Sequence, residues 1–200
     1  METDKYPAGA TPLDPDELDG LKIRHITTRE ELNRFEQDNI NEALQWLGIR
    51  RKSDVLTEKF IKTLHQKMFG KVWRWAGTFR RSGKNLGADW RHIPVSLRTL
   101  LEDVHFWMEQ RSYPPDEIAA RFHHKLVWIH LFPNGNGRHA RLMTDVFLMD
   151  VLKREPFTWN AKNIDIENEA RGLYLNALRQ ADKHDYSLLL NYVRPGPGTR

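Results

Sequence analysis

One interval breaks an otherwise helical hydrophobic rhythm, and it limits what this 200-residue chain can become. From Val72 to Val95 the apolar spacing fails. Gly77, Gly83 and Gly87 interrupt it and Pro94 lies within it, which predicts loop with a short β-hairpin. On either side the helical spacing holds. Thr28 is placed to cap a helix that runs through Leu32, Phe35, Ile40, Ala43, Leu44 and Leu47 and stops at Gly48. Ser53 is placed to cap the next, through Leu56, Phe60, Ile61, Leu64 and Met68, with Gly70 as its end. Helical spacing resumes after Ser96 and ends at Tyr113-Pro114-Pro115, where Pro115 suits the first turn of another helix through Phe122 and Ile129. A loop over 132–137 leads into an apolar helix through Leu142, Val146 and Leu152, with further helices expected over 166–181 and 187–193. The expectation is an all-α domain over 28–193 with one hairpin-bearing insertion. Residues 1–27 read as an irregular acidic leader and 194–200 as a disordered tail.

Composition removes several chemistries. With no cysteine there is no disulfide framework, no thiol nucleophile and no thiolate-ligated metal. No apolar run approaches the roughly 20 residues a membrane span needs. Residues 1–20 also lack the basic start and apolar stretch of a signal peptide, so a cytoplasmic protein is expected. The formal charge of +4 says little by itself, but its placement says more. Residues 1–20 carry six acids against Lys5, while 71–98 carry seven bases against Asp89. Residues 121–141 add Arg121, Lys125, Arg138 and Arg141 with no acid, so the middle of the chain suits an anionic ligand.

The segment from His130 to Arg141, His-Leu-Phe-Pro-Asn-Gly-Asn-Gly-Arg-His-Ala-Arg, gathers the groups such a ligand needs. Gly135-Asn136-Gly137 can turn consecutive N–H groups toward one point at the start of a helix, where the dipole favours anions. Arg138 and Arg141 are three apart, so both can fork onto phosphate oxygens from one helical face. His130 closes the preceding helix and can accept a proton near neutral pH. A bare glycine turn between core helices would need none of the histidine, the two in-phase arginines or the basic surroundings.

This segment resembles the signature of the Fic (Fic/Doc, or Fido) family, His-Pro-Phe-x-Asp/Glu-Gly-Asn-Gly-Arg-x-x-Arg, matching at His130, Phe132, Gly135, Asn136, Gly137, Arg138 and Arg141. Val72-Trp-Arg-Trp-Ala-Gly-Thr-Phe-Arg80 also resembles the family, and Pro133-Asn134 is similar to its mobile mystery protein B branch, which is encoded beside a helix-turn-helix partner. The resemblance implies a Fic-type helical domain over 28–193 that transfers AMP from ATP to a hydroxyl side chain of a target protein. His130 would then be the catalytic base, Gly135, Asn136 and Gly137 the anion hole, Arg138 and Arg141 the holders of the outer phosphates, and Phe132 an apolar anchor. A hairpin flap near 81–94, with Arg80, Arg81, Lys84 and Arg91, would bind an extended acidic target segment or nucleotide phosphates.

Two positions depart from the pattern. Leu131 replaces the usual Pro, and Asn134 stands where most members carry an acid that holds Mg²⁺ or Mn²⁺. An uncharged amide binds a hard cation more weakly. Reduced AMP transfer, Doc-like kinase chemistry and a non-catalytic nucleotide- or protein-binding Fic module therefore stay open. The Ser/Thr-x-x-x-Glu-Gly/Asn motif that holds many members off is incomplete, since Thr27 to Glu31 is followed by Leu32. Inhibition by an antitoxin-like partner protein fits that gap. His123, His124, His130 and His139 lack a nearby carboxylate for a zinc site, and Trp73, Trp75 and Trp90 read as loop anchors before they read as stacking platforms for nucleic acid.

Overall fold

The structure, a computed structural model, describes residues 15–23, 25–26, 28–51, 54–84, 87–159 and 167–195. Its helices are α1 (Pro15–Leu18), α2 (Arg29–Ile49), α3 (Glu58–Phe69), α4 (Ile93–Glu109), α5 (Pro115–Ile129), α6 (Asn136–Phe147), α7 (Glu167–Ala181) and α8 (Ser187–Val193). A 3₁₀ turn, Trp90–His92, leads into α4, and a π-helical turn, Leu148–Leu152, extends α6. Among the described residues none forms a strand; the sole β pairing is one bridge between Leu21 and Trp73.

Local chemistry explains most helix starts. Thr28 Oγ1 accepts from Glu31 N–H at 3.2 Å, and Glu31 Oε2 accepts from Thr28 N–H at 3.1 Å, a reciprocal capping box. The cap of α3 is Thr57, whose side chain accepts from Phe60 N–H; the expected cap Ser53 lies outside the described residues. Helix α2 runs one residue past Gly48 to Ile49. Helix α4 starts at Ile93, earlier than the spacing after Ser96 predicts, because Pro94 sits in the first turn, where its missing N–H costs nothing. Residues 1–14 and 196–200 lie outside the described residues, as does Ile166, the expected start of α7.

Helix α5 lies at the centre, packed on α4, α6, α7 and α8, while α3 joins α2 to α6. Ile61, Leu64, Leu97, Val104, Phe122, Phe132, Met143, Phe147 and Leu189 belong to a single buried cluster. Each such side chain contributes about 1.5–3 kcal/mol, against 1 kcal/mol or less for an exposed ion pair, so this cluster and not the surface charge fixes how the helices meet.

The expected hairpin near 81–94 is a correction. The described part of that segment is bend and irregular chain, closed by the 3₁₀ turn and the first residues of α4. The Ser82 and Ala88 carbonyls, which a ladder would engage, accept from the Arg80 guanidinium instead. The extended pairing in this region goes to the end of the acidic leader: Lys22 N–H donates to Val72 O and Arg74 N–H to Gly20 O, both at 2.8 Å.

Candidate functional site

His130 ends α5 in a left-handed conformation, φ 56° and ψ 64°, with its N–H on Leu126 O at 3.2 Å. A non-glycine residue there carries strain of roughly 1–3 kcal/mol, so its surroundings must hold it. The Arg80 Nε donates to His130 O at 2.6 Å. Gly87 crosses over the histidine, and a Cβ built on it would fall 2.5 Å from His130 Cβ. Gly87 also has φ +98°, so glycine is required there twice over. Burial, with Arg80 and Lys84 adding to it, holds the imidazole at about 4, while a hydrogen bond to the Val127 carbonyl opposes them. His130 is therefore neutral at physiological pH and has a lone pair to offer.

The next residues turn the chain into α6. Phe132 is fully buried, its ring stacked on His65 with centroids 3.7 Å apart. The Asn136 side chain closes the loop: its Oδ1 accepts from Phe132 N–H at 2.9 Å and its Nδ2 donates to Phe132 O at 2.7 Å. Gly135 has φ +76°, and a Cβ there would meet the Phe69 ring at 2.6 Å. Gly137 differs, being helical and exposed, with open space where a Cβ would go. The three residues expected as an anion hole thus have separate reasons to be where they are. Gly135 makes the turn, Asn136 ties it, and Gly137 leaves the first turn of α6 uncovered. The N–H groups of Asn136, Gly137 and Arg138 belong to that turn, which the helix cannot satisfy internally.

The two motif arginines have different company. Arg138, 40% exposed at its side chain, pairs with Glu36 of α2 at 2.7 Å and lies over the Phe69 ring. The Arg141 guanidinium faces the Tyr174 ring at 4.6 Å and the Trp159 ring at 5.8 Å. One turn on, Asp145 accepts from Trp159 Nε1 and Phe157 N–H, and burial raises it to about 6.

Asn134 does not make a metal site. Its Oδ1 accepts from Gly135 N–H at 2.5 Å, and its carbonyl is hydrogen-bonded to His65 Nε2 at 3.1 Å. Mg²⁺ favours one or two carboxylates beside substrate phosphates, whereas the side chains of this loop offer only two uncharged amide oxygens, of Asn134 and Asn136, each already accepting a backbone N–H. The residues present do not fit a protein-held divalent cation. The histidines considered for zinc go to separate partners: His123 to Tyr174 OH, His124 to Asp182 and Tyr186, and His139 to Ile61 O.

Sequence reasoning missed Glu36, His65 and Gly87, and it misread Arg80 and Lys84. Arg80 is 2% exposed and bound to backbone carbonyls, so it is not a cation offered to a target. The Lys84 side chain, 3% exposed, pairs with Glu17 at 2.5 Å. Trp73 and Trp75 stack on each other at 4.8 Å, and their indole N–H groups reach Glu36 Oε1 and Glu17 O. The available signal was Glu17 itself, an acid in the leader with a basic loop to meet.

Comparison with known proteins gives this geometry a context. Residues 55–148 match the family model described as Fic/DOC family. Protein adenylyltransferase Fic of Aedes aegypti is 29% identical over 146 residues, covering 71% of this chain and 28% of that protein. Among solved structures, a fragment of Fic-1 from C. elegans is similar with a TM-score of 0.62 at 25% identity, covering 88% of this chain and 50% of that one. The N-terminal FIC domain of Bep8 from Bartonella sp. 1-1C has a TM-score of 0.68 at 14% identity, covering 87% and 88%, a likeness of fold. The chain thus spans well under half the length of the Aedes relative it matches.

Proposed function

Because this chain carries a Fic/DOC-family domain over residues 55–148, we propose that it transfers AMP from ATP to a hydroxyl side chain of a target protein. The observation that supports this most is His130: neutral, strained and held at the mouth of a loop whose next helix starts with a bare glycine turn. In this reading the imidazole nitrogen not bonded to the Val127 carbonyl takes the hydroxyl proton. The hydroxyl oxygen bonds to the α-phosphorus as the bond to the pyrophosphate oxygen breaks, and pyrophosphate leaves. The N–H groups of Asn136, Gly137 and Arg138 stabilise charge on the transferred phosphoryl group. Arg138 and Arg141 hold the outer phosphates, which requires Arg138 to exchange the Glu36 carboxylate for phosphate oxygens.

At about 4 the resting histidine is a weak base. A bound polyphosphate opposes the field of Arg80 and Lys84 and raises its basicity when the substrate is in place. The target approaches over the exposed stretch 89–92, next to Gly87, and needs no added strand. An antitoxin-like partner encoded nearby on a mobile element would silence the enzyme in the same reading; co-purification of the neighbouring gene product, with loss of transfer, tests it.

A second reading rests on the Glu36 pair. If Arg138 stays committed to Glu36, the domain binds nucleotide without transfer. Incubation with α-³²P-ATP and γ-³²P-ATP in lysate separates the outcomes. Label from the α form alone supports AMP transfer, and label from γ alone supports a kinase. No label with intact ATP binding supports the binding module.

A further inference from the structure

Arg80 is a buried arginine whose guanidinium is taken up by backbone. Its Nε donates to His130 O at 2.6 Å, one terminal nitrogen to Ser82 O at 2.9 Å, and the other to Ala88 O and to Ile129 O at 3.4 Å. Its own N–H donates to Leu131 O at 3.0 Å. The Ile129 and His130 carbonyls belong to the end of α5, where the helix supplies no partners. Ala88 follows Gly87, whose backbone lies against His130 Cβ, and Ser82 lies two residues after Arg80 itself. One planar fork therefore joins the strained helix end to the loop lying across it. A lysine, with its donors on one point, cannot reach all of these carbonyls at once.

We propose that Arg80 is a positioning residue for the AMP-transfer reaction, fixing the left-handed His130 backbone and pinning Gly87 and Ala88 against it so that the imidazole points at the reacting hydroxyl. The inference rests on the function proposed above. Arg80 has a second, electrostatic effect on His130. Among the described residues, the charged groups that act on the imidazole are Arg80 and Lys84, with Glu17 paired to Lys84 and both Asp89 and Glu17 favouring the charged Arg80. Removing the Arg80 charge therefore lets His130 hold its proton to higher pH, whereas Arg80→Lys keeps the charge and loses the fork.

The test uses the full chain with isotope-labelled histidine, the His130 resonance being assigned by its loss in His130→Gln. The imidazole titration is followed by NMR, and transfer is followed with α-labelled ATP. In Arg80→Gln the His130 midpoint rises measurably, while burial still holds it below the ordinary imidazole value. In Arg80→Lys the midpoint stays low while kcat falls on the order of 100-fold and KM changes little, the signature of a displaced group. Should either Arg80 variant fail to fold, Gly87→Ala, which presses the same loop against His130 from an exposed position, is expected to show the same loss of kcat. An unchanged His130 midpoint in Arg80→Gln, wild-type kcat in Arg80→Lys, or wild-type kcat in Gly87→Ala would each overturn the proposal. If the wild-type protein transfers nothing, the proposed function fails by itself, and the titration still decides whether Arg80 governs His130.

Discussion

Glu36 holds two distant parts of the site with one carboxylate: Oε2 lies 2.7 Å from the Arg138 guanidinium, and Oε1 accepts from Trp73 Nε1 at 2.6 Å. The carboxylate is buried, so the two interactions differ in weight. The indole N–H loses its partner inside the core if Glu36 is removed, at a cost of about 1–3 kcal/mol. The half-exposed Arg138 returns to water at little cost. Glu36→Ala should therefore lower unfolding stability by about 1–3 kcal/mol, and Glu36→Gln should restore most of it. Urea unfolding measures this. Both variants should bind ATP more tightly than wild type, because the competing charge on Arg138 is gone; calorimetric titration reads that directly.

The two glycines of the turn should respond in opposite ways. Gly135→Ala forces a side chain into φ +76° and against Phe69, and should destabilise the fold by a few kcal/mol. Gly137→Ala places its methyl in open space within a helix, where Ala is favoured over Gly by up to about 1 kcal/mol. Thermal melts should show a lower midpoint for the first and an equal or higher one for the second. Label transfer should fall in the second even so, since the methyl covers the N–H groups of α6.

Two lysine–glutamate pairs offer a test of burial against charge. Lys84–Glu17 is nearly water-free, whereas Lys71–Glu42 has side chains 67% and 49% exposed. Removing one partner of a buried pair costs about 3–5 kcal/mol, against 1 kcal/mol or less for an exposed one. Glu17→Ala should lower the denaturation midpoint clearly, and Glu42→Ala should leave it almost unmoved.

Acid should weaken the fold before it protonates ordinary carboxylates. Burial holds His130 and His139 at about 4 and His123 at about 3, all below the unfolded value of about 6.5. Between those limits the unfolded chain binds more protons, so the stability is fully present above about 6.5 and is lost as pH falls toward 4. Asp145, raised to about 6, works in the opposite sense and offsets roughly one proton between 4 and 6. A net slope of about 1.4 kcal/mol per pH unit or more is expected between pH 6 and 5, read from denaturation midpoints at pH 7.5, 6 and 5.

Much of the fold was legible because helices declare themselves locally. The Thr28 cap, the Gly70 stop and Pro115 at the start of α5 all follow from residues within a turn of each other. The chemistry-bearing loop was legible for the same reason: His130, Gly135, Asn136 and Arg138 sit within nine residues. What escaped depends on partners far along the chain. A count of basic residues over 71–98 treats Arg80, Lys84 and Arg91 alike. In the fold the first is a backbone clamp, the second pairs with Glu17, and only the third stays at the surface, on Asp89. The hairpin failed likewise, since interrupting glycines and a proline cannot show that a guanidinium will take the carbonyls a ladder needs.

In the proposed reaction His130 takes the proton of the attacking hydroxyl. The most direct measurement compares transfer of α-³²P label from ATP to protein by the wild type and by His130→Ala, with ATP binding measured on both. A general base of this kind contributes roughly 10²–10⁴-fold. Label is expected to fall by that factor in His130→Ala while ATP affinity stays within a few-fold. Equal labelling by His130→Ala and wild type would contradict it.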